Sequence, residues 1–386
     1  MLSRLALLQG LSLAMLGAVF PYLALELKAL GVTGVALTLA MTATPAMRLV
    51  LGPAWGMASD KTQGSPLILL LAAGAALLGC LALLGLPPSL ALLGVLALGI
   101  GRTGSGPLVD GLTLRTLEGQ QDRYGRVRMW GSLGFLIAAF AAGLARDKGI
   151  SPLWFGLAAG VGMVAVVLTL PRPPAPTKTS PKLGAALRKL STDTGFVLLL
   201  VASAFHFSGH AVYDSFFSVH LNAQGFDTVW VGVAVTLGVG VEIAVLASGS
   251  WLLKRVGARK LLIGAMLLAI PRWVLSASAT SLFFTVGAQV IHGVTFGAFW
   301  IAAVALVGER APKHLRTSGL GLLSAAVGGV GSGLGNVGGS LIVDSGVDTH
   351  MLFWLSSGLA VVASAAAAGC LVASRRPAPA FEVQTH

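Results

Sequence analysis

Long apolar runs separated by short polar breaks dominate the chain. Most runs are about 20 residues or more, the length that crosses a bilayer as a helix. Proline, glycine or charge marks nearly every break. Twelve segments fit the pattern: 3–26, 33–58, 66–86, 89–114, 129–146, 151–170, 194–219, 228–253, 260–279, 281–308, 316–343 and 350–373. The pattern predicts an all-α membrane protein of twelve transmembrane helices. The longest break, 171–193, reads PRPPAPTKTSPKLGAALRKLSTD, proline-rich and then basic, as linkers are. It divides an N-terminal six-helix bundle (1–170) from a C-terminal one (194–373), with a tail at 374–386. The LGAALRKL stretch reads either as a short amphipathic surface helix or as plain linker.

Composition agrees. The 386 residues are 55% hydrophobic and 10% charged, where a soluble domain carries about 25% charged residues. The net charge of +12 does not imply nucleic acid, because the basic residues alternate with apolar spans and read as topology signals. With the N-terminus, the even-numbered loops and the C-terminus on one side, that side collects 20 of the 26 Lys and Arg; the other side has Lys28, Arg146 and Lys148, and Arg48, Arg102 and Arg272 lie within spans. The asymmetry predicts a multi-pass protein of the cell (inner) membrane with both termini in the cytoplasm. Residues 1–26 form too long an apolar run for a cleavable signal, with Arg4 its only early charge. Cys80 and Cys370 lie in separate spans and are expected to be buried small hydrophobes. There is no GxxxxGK[ST] loop, CxxC or HExxH, so neither ATP-driven transport nor an enzyme of those types is expected. No cofactor, metal or nucleic acid is called for, and the chain is expected to act as a monomer in the lipid bilayer.

The halves repeat weakly. Gly56-Met-Ala-Ser-Asp60-Lys61-Thr-Gln-Gly64 follows the second span, and Gly249-Ser-Trp-Leu-Leu-Lys254-Arg-Val-Gly257 follows the eighth. Shifts of 190 and 188 residues align Arg102 with His292, and Arg128-x-x-Gly131 with Arg316-x-x-Gly319. Duplication of a six-span unit is a transporter signature, with the substrate site near midplane between the halves.

These residues resemble the major facilitator superfamily. Gly56-x-x-x-Asp60-Lys61-x-x-Gly64 is similar to its loop signature between helices two and three, although Ser65-Pro66 stand where a basic pair usually follows. Pro107-Leu-Val-Asp110, Tyr124-Gly-Arg-Val-Arg128-Met-Trp-Gly-Ser-Leu-Gly-Phe135 and His292-Gly-Val-Thr-Phe-Gly297 resemble the subgroup near lactose permease, nucleoside:proton symporters and the phenylpropionate transporter. The resemblance implies alternating access by rocking halves, usually with proton symport. It also implies that spans four and ten line the cavity and span nine lies at the periphery. The fifth span lacks the glycine-proline motif of drug/proton antiporters. A proton-coupled symporter of a small polar or anionic organic solute is therefore expected; the alternative is a proton-driven exporter of drugs, siderophores or other metabolites.

Charge within a span costs roughly 2.5–3.5 kcal/mol on insertion scales and is usually kept for function. Arg102 and His292, aligned by the repeat, are candidate substrate ligands, with Arg48, His210, Asn336 and Gln9 beside them. A guanidinium on Arg102 suits a carboxylate; the other reading of Arg102 is a permanent ion pair with Asp110. His206, His210 and Asp214 stand at i, i+4, i+8 on one helix face, and with Glu242 and Asp110 they are candidates for proton coupling. Structural histidines and an Asp214 at the water boundary are the alternative. By the repeat, Glu242 and Arg48 occupy near-equivalent depths, so an inter-half pair is attractive; separate contacts within each half are the other reading. Asp60, Lys61, Arg126 and Arg128 are candidate gating residues, and Arg272 reads as structural. Gly331-x-x-x-Gly335-x-x-x-Gly339 predicts close helix packing.

Overall fold

The computed structural model describes residues 1–64, 66–171, 188, 190–226, 229–278 and 281–373. Most of the expected linker, including most of its LGAALRKL stretch, and the 374–386 tail lie outside the described residues. Among the described residues, eleven helices are long and apolar enough to cross a membrane: α1 (Leu2–Ala29), α2 (Gly34–Lys61), α3 (Pro66–Gly85), α4 (Pro88–Thr116), α5 (Gln121–Arg146), α7 (Thr194–Ala223), α8 (Trp230–Ala247), α9 (Ala258–Ser278), α10 (Leu282–Arg310), α11 (Lys313–Asp344) and α12 (His350–Cys370). The sixth segment forms a shorter apolar helix, α6 (Leu153–Leu168). Its 16 residues rise about 24 Å, short of the roughly 30 Å hydrocarbon core. Among the described residues no strand occurs.

The helices pack as two like bundles. In the first, α1 lies on α5 and α6, α3 on α4 and α6, and α2 on α4. In the second, α7 lies on α11 and α12, α9 on α10 and α12, and α8 on α10. Adding six to each helix number converts one set of pairs into the other, so the duplication inferred from weak motif repeats is a duplication of packing. The bundles meet where α2 and α4 touch α11, and where α5 touches α8.

Glycine makes the close crossings possible. A Cβ at Gly17 would lie 2.3 Å from the Phe135 carbonyl oxygen, and one at Gly134 2.2 Å from that of Gly10, so α1 and α5 are in backbone contact. The matching crossing of α7 and α11 uses the predicted glycine repeat: a Cβ at Gly335 would stand 2.2 Å from the Ser208 carbonyl oxygen, and one at Gly331 2.6 Å from that of Ala204. In lipid such approach replaces the hydrophobic effect as the force between helices. The loop repeat is structural as well. Gly64 and Gly257 both take positive φ, 78° and 82°, just past a helix end. Both leading glycines face the opposite bundle: a Cβ at Gly56 would lie 2.4 Å from the Thr317 carbonyl oxygen, and Gly249 packs against Gly125.

Gly134→Ala is expected to force α5 from α1 and cost about 1–3 kcal/mol, as overpacking does. Gly264→Ala, where no atom lies within 4 Å of the added Cβ, is expected to change stability by less than about 0.5 kcal/mol. Thermal unfolding in detergent, followed by tryptophan fluorescence, separates the two.

Candidate functional site: a polar axis between the bundles

Four groups of polar side chains run along the seam between the bundles. The first closes the end that carries the basic loops. Asp60, at the end of α2, is buried and accepts hydrogen bonds from the Thr317 N–H (3.3 Å), the Ser318 N–H (2.6 Å) and the Ser318 hydroxyl (2.7 Å), while pairing with Arg115. Thr317 and Ser318 lie in the first turn of the α-helical run Arg316–Ala325, whose leading N–H groups have no partner within the helix. Asp60 thus serves as anion and cap for a helix of the other bundle. Three more contacts cross the seam here: Asp122 with the Ser250 hydroxyl and with Lys254 (3.2 Å), and Glu118 with Lys313.

The other expected gating residues lie elsewhere. Lys61 and Arg126 are exposed. Arg128 is buried deeper along α5, in the second group. There Asp110 of α4 accepts from the Gln9 amide of α1 (2.5 Å) and the Tyr124 hydroxyl of α5 (2.9 Å). Across the seam, Glu242 of α8 accepts from the Ser132 hydroxyl (2.5 Å). The charge of the buried Arg128 reaches both carboxylates. Its guanidinium stands 5.5 Å from the Trp300 ring of α10. Asp110 therefore bonds Gln9 and Tyr124, and the cation facing Glu242 is Arg128, in place of the Arg102 and Arg48 considered from sequence. Arg128 and Ser132 are one turn apart on α5, a spacing the sequence displays but which acquires meaning only once α8 is laid against it.

The third group is a pair of arginines. Arg48 and Arg102, half-buried at the middle of α2 and α4, lie within each other's field. The Arg102 guanidinium sits 4.0 Å from the centre of the Phe20 ring, which the short 3₁₀ turn Phe20–Tyr22 presents from α1. Arg48 reaches α11, where a Cβ at Gly328 would fall 2.0 Å from its Nη1. Gly328 belongs to a π-helical turn, Ala326–Gly331. Part of the glycine run thus makes room for this arginine, beyond the packing role read from sequence.

The fourth group belongs to the second bundle. His206 and His210 of α7 are buried with ring centroids 4.7 Å apart, and His210 lies 5.3 Å from His292 of α10. Phe207, Phe296, Phe299 and Trp300 surround them. Tyr213 stacks near His292 (5.1 Å). Asp214 is exposed at the next turn of α7, and its charge interacts with Arg272. Arg272 of α9 was read as structural from span nine's expected peripheral place. Its guanidinium is fully buried, 3.7 Å from the Trp273 ring centre and 4.9 Å from that of Tyr213. It joins the histidine wall. Asn336 accepts from the Ser215 hydroxyl (2.9 Å), tying α11 to α7.

Comparison with known proteins decides the family: the model of the MFS_1 like family matches residues 3–355. The chain belongs to this family of the major facilitator superfamily. It is a transporter and not an enzyme. The maltose permease of Geobacillus stearothermophilus is 30% identical over 326 residues, 83% of this chain and 81% of that one. The probable 3-phenylpropionic acid transporter of Escherichia coli (strain K12) is 27% identical over 213 residues, 53% of this chain and 55% of that one. Among solved structures, the E. coli fucose:proton symporter superposes with a TM-score of 0.73 at 14% identity, covering 96% of this chain and 98% of that one. A bacterial homologue of the iron transporter ferroportin, solved facing outward, reaches 0.75 at 14% identity, covering 96% and 99%.

Asp60→Asn removes the charge and turns two acceptor sites into one. The bonds lost are charge-assisted, so about 1.5–3 kcal/mol of closure is expected to disappear. Distances between spin labels at the ends of α2 and α11 are expected to broaden toward longer separation in the variant.

Proposed function

We propose that this transporter carries out proton-coupled uptake of a small organic anion by alternating access. The observation that carries the proposal is the Arg48–Arg102 pair. Two guanidinium groups side by side at bilayer depth repel each other and cost free energy to insert. A bound carboxylate accepting bidentate hydrogen bonds relieves both costs. The named relatives span both chemistries, a neutral sugar and an aromatic acid; the arginine pair favours the acid. Phe20 under Arg102, and Phe296 and Trp300 on α10, supply rings against which an apolar or aromatic body rests.

The contacts between the bundles run from the basic end to about midplane, which supports a state open at the opposite end. The charge asymmetry assigns the basic end, and both termini, to the cytoplasm. Substrate then enters from outside and meets Arg48 and Arg102 on one wall, with the Phe296 ring, packed against the buried His210 and His292, on the other. Opening toward the cytoplasm requires breaking Ser132–Glu242, the attraction between Arg128 and Glu242, and the Asp60 and Asp122 contacts. A proton on Glu242 removes its attraction for Arg128 across the seam. That makes the carboxylate a switch as well as a carrier, the use for which a buried ion pair is best suited. Asp214, exposed beyond midplane, is a point of proton entry; Asp110, held by Gln9 and Tyr124, tunes Arg128 from its own bundle.

Two outcomes test this in proteoliposomes under an imposed pH gradient. Monocarboxylates with an apolar body are expected to accumulate, and a protonophore to abolish the accumulation; accumulation of neutral sugars in preference to acids would defeat the reading. Arg102→Lys, which keeps charge but loses the fork geometry, is expected to weaken binding about tenfold, equal to about 1.4 kcal/mol. Glu242→Gln is expected to abolish gradient-driven uptake while sparing exchange of substrate for substrate. Equal loss of both processes would remove Glu242 from coupling.

A further inference from the structure

The geometry points to a binding groove for an anionic phospholipid at the basic end of the first bundle, on the face between α1 and α5. The groove encloses about 340 Å³. Leu2, Ala6, Val127 and Trp130 form apolar walls, and Arg123 and Arg126 stand at its edge. Leu2 is 40% and Trp130 47% exposed, so the groove is open at the protein's surface. A tryptophan at this level, where apolar wall gives way to charge, marks the boundary between acyl chains and headgroups.

The charge balance of the neighbouring loop decides the ligand's sign. Between α4 and α5 the chain carries two carboxylates, Glu118 and Asp122. Both are turned to the other bundle, Glu118 to Lys313 and Asp122 to Ser250 and Lys254. The groove's own lining contains no acidic residue. Arg123 donates to the neutral Gln120 side chain (2.8 Å), and Arg126 is exposed. Two guanidinium groups therefore face lipid headgroups with their nearby carboxylates committed elsewhere. Arginine forks suit phosphate oxygens, and basic recesses beside transmembrane helices suit anionic headgroups. The apolar walls below the arginines fit an acyl chain, which a free phosphate lacks.

The site has a consequence for the cycle. Arg123 adjoins Asp122 in sequence, and Asp122 joins the bundles. A lipid phosphate held by Arg123 and Arg126 steadies the segment that carries three of the seam contacts. An anionic bilayer should therefore favour the state closed at the basic end. This inference is independent of the transported solute.

The test uses the full chain, reconstituted in nanodiscs of phosphatidylcholine with or without one-third phosphatidylglycerol. For the unaltered protein, phosphatidylglycerol is expected to raise the unfolding temperature by several degrees, and native mass spectrometry is expected to find at least one retained phosphatidylglycerol. In the double variant Arg123→Gln/Arg126→Gln the retained lipid and at least half the shift are expected to vanish. Lys148→Gln, a basic residue at the opposite end, is expected to leave both intact. Trp130→Ala is expected to reduce lipid retention while leaving the two arginines in place. Inorganic phosphate added to the phosphatidylcholine discs is expected to produce no shift. The proposal is overturned if the unaltered protein shows no preference for phosphatidylglycerol. It is equally overturned if the double variant retains lipid and shift undiminished, or if inorganic phosphate reproduces the effect.

Discussion

Everything that holds the two bundles together must work without the hydrophobic effect. Lipid tails are as apolar as leucine, so burying leucine against leucine gains little between helices in a bilayer. What remains is close backbone approach and polar contact in a medium of low dielectric. Asp60 combines the two. Its carboxylate satisfies N–H groups at the start of a helix in the other bundle, and it does so beside Gly56, whose missing side chain lets α2 touch α11. Remove the glycine and the carboxylate no longer reaches; remove the carboxylate and the helix start is left with bare donors at the seam. Closure at this end is strong because several donors converge on one group, and reversible because none of them is covalent or greasy.

The same constraint explains why the seam is polar along much of its length. A contact that must form and break in every cycle cannot rest on interlocked apolar side chains. Within each bundle glycine crossings such as Gly134 on Gly10, and Gly335 on Ser208, fix the helices at backbone distance, and each bundle can then move as one body. Between bundles, Ser132–Glu242 and Asp122–Ser250 are single hydrogen bonds, with arginine and lysine charge beside them. Glycine approach also serves between bundles, at Gly56 against Thr317 and at Gly321 against Gly52, so what sets the seam apart is the polar contact added to that close packing.

This division also explains what the sequence displayed and what it concealed. Helix number, the two bundles and the repeat were legible, because apolar run length and the recurring glycines of the loop motif report local geometry directly. Gly64 and Gly257 are an instance: a glycine past a helix end signals positive φ without any tertiary context. Partners across the seam were not legible. Arg48 was matched with Glu242 by depth, yet depth says nothing of rotation about the helix axis, and the axis turns Arg48 toward Arg102 and Gly328. Sequence groups Arg128 with its neighbour Arg126, and with Asp60 and Lys61, in a gate; about one turn of α5 beyond Tyr124 carries it toward Glu242. The partners of Arg272, read as structural, were equally hidden: α9 packs on α10 and α12, and its buried arginine meets Trp273 and Tyr213.

Duplication built the scaffold, but the chemistry on it is no longer duplicated. The first bundle brings two permanent cations to midplane, Arg48 and Arg102; the second brings three imidazoles, His206, His210 and His292, within an aromatic wall. Guanidinium keeps its proton under all physiological conditions, so one wall has fixed charge. The second bundle sets its imidazoles among aromatic rings beside the buried guanidinium of Arg272, so its wall combines a fixed cation with rings able to donate or accept a hydrogen bond. Arg128, on the first bundle but facing Glu242 of the second, has its charge felt by a carboxylate of each bundle, Asp110 and Glu242. The asymmetry between the halves is thus one of chemistry laid over a symmetric frame.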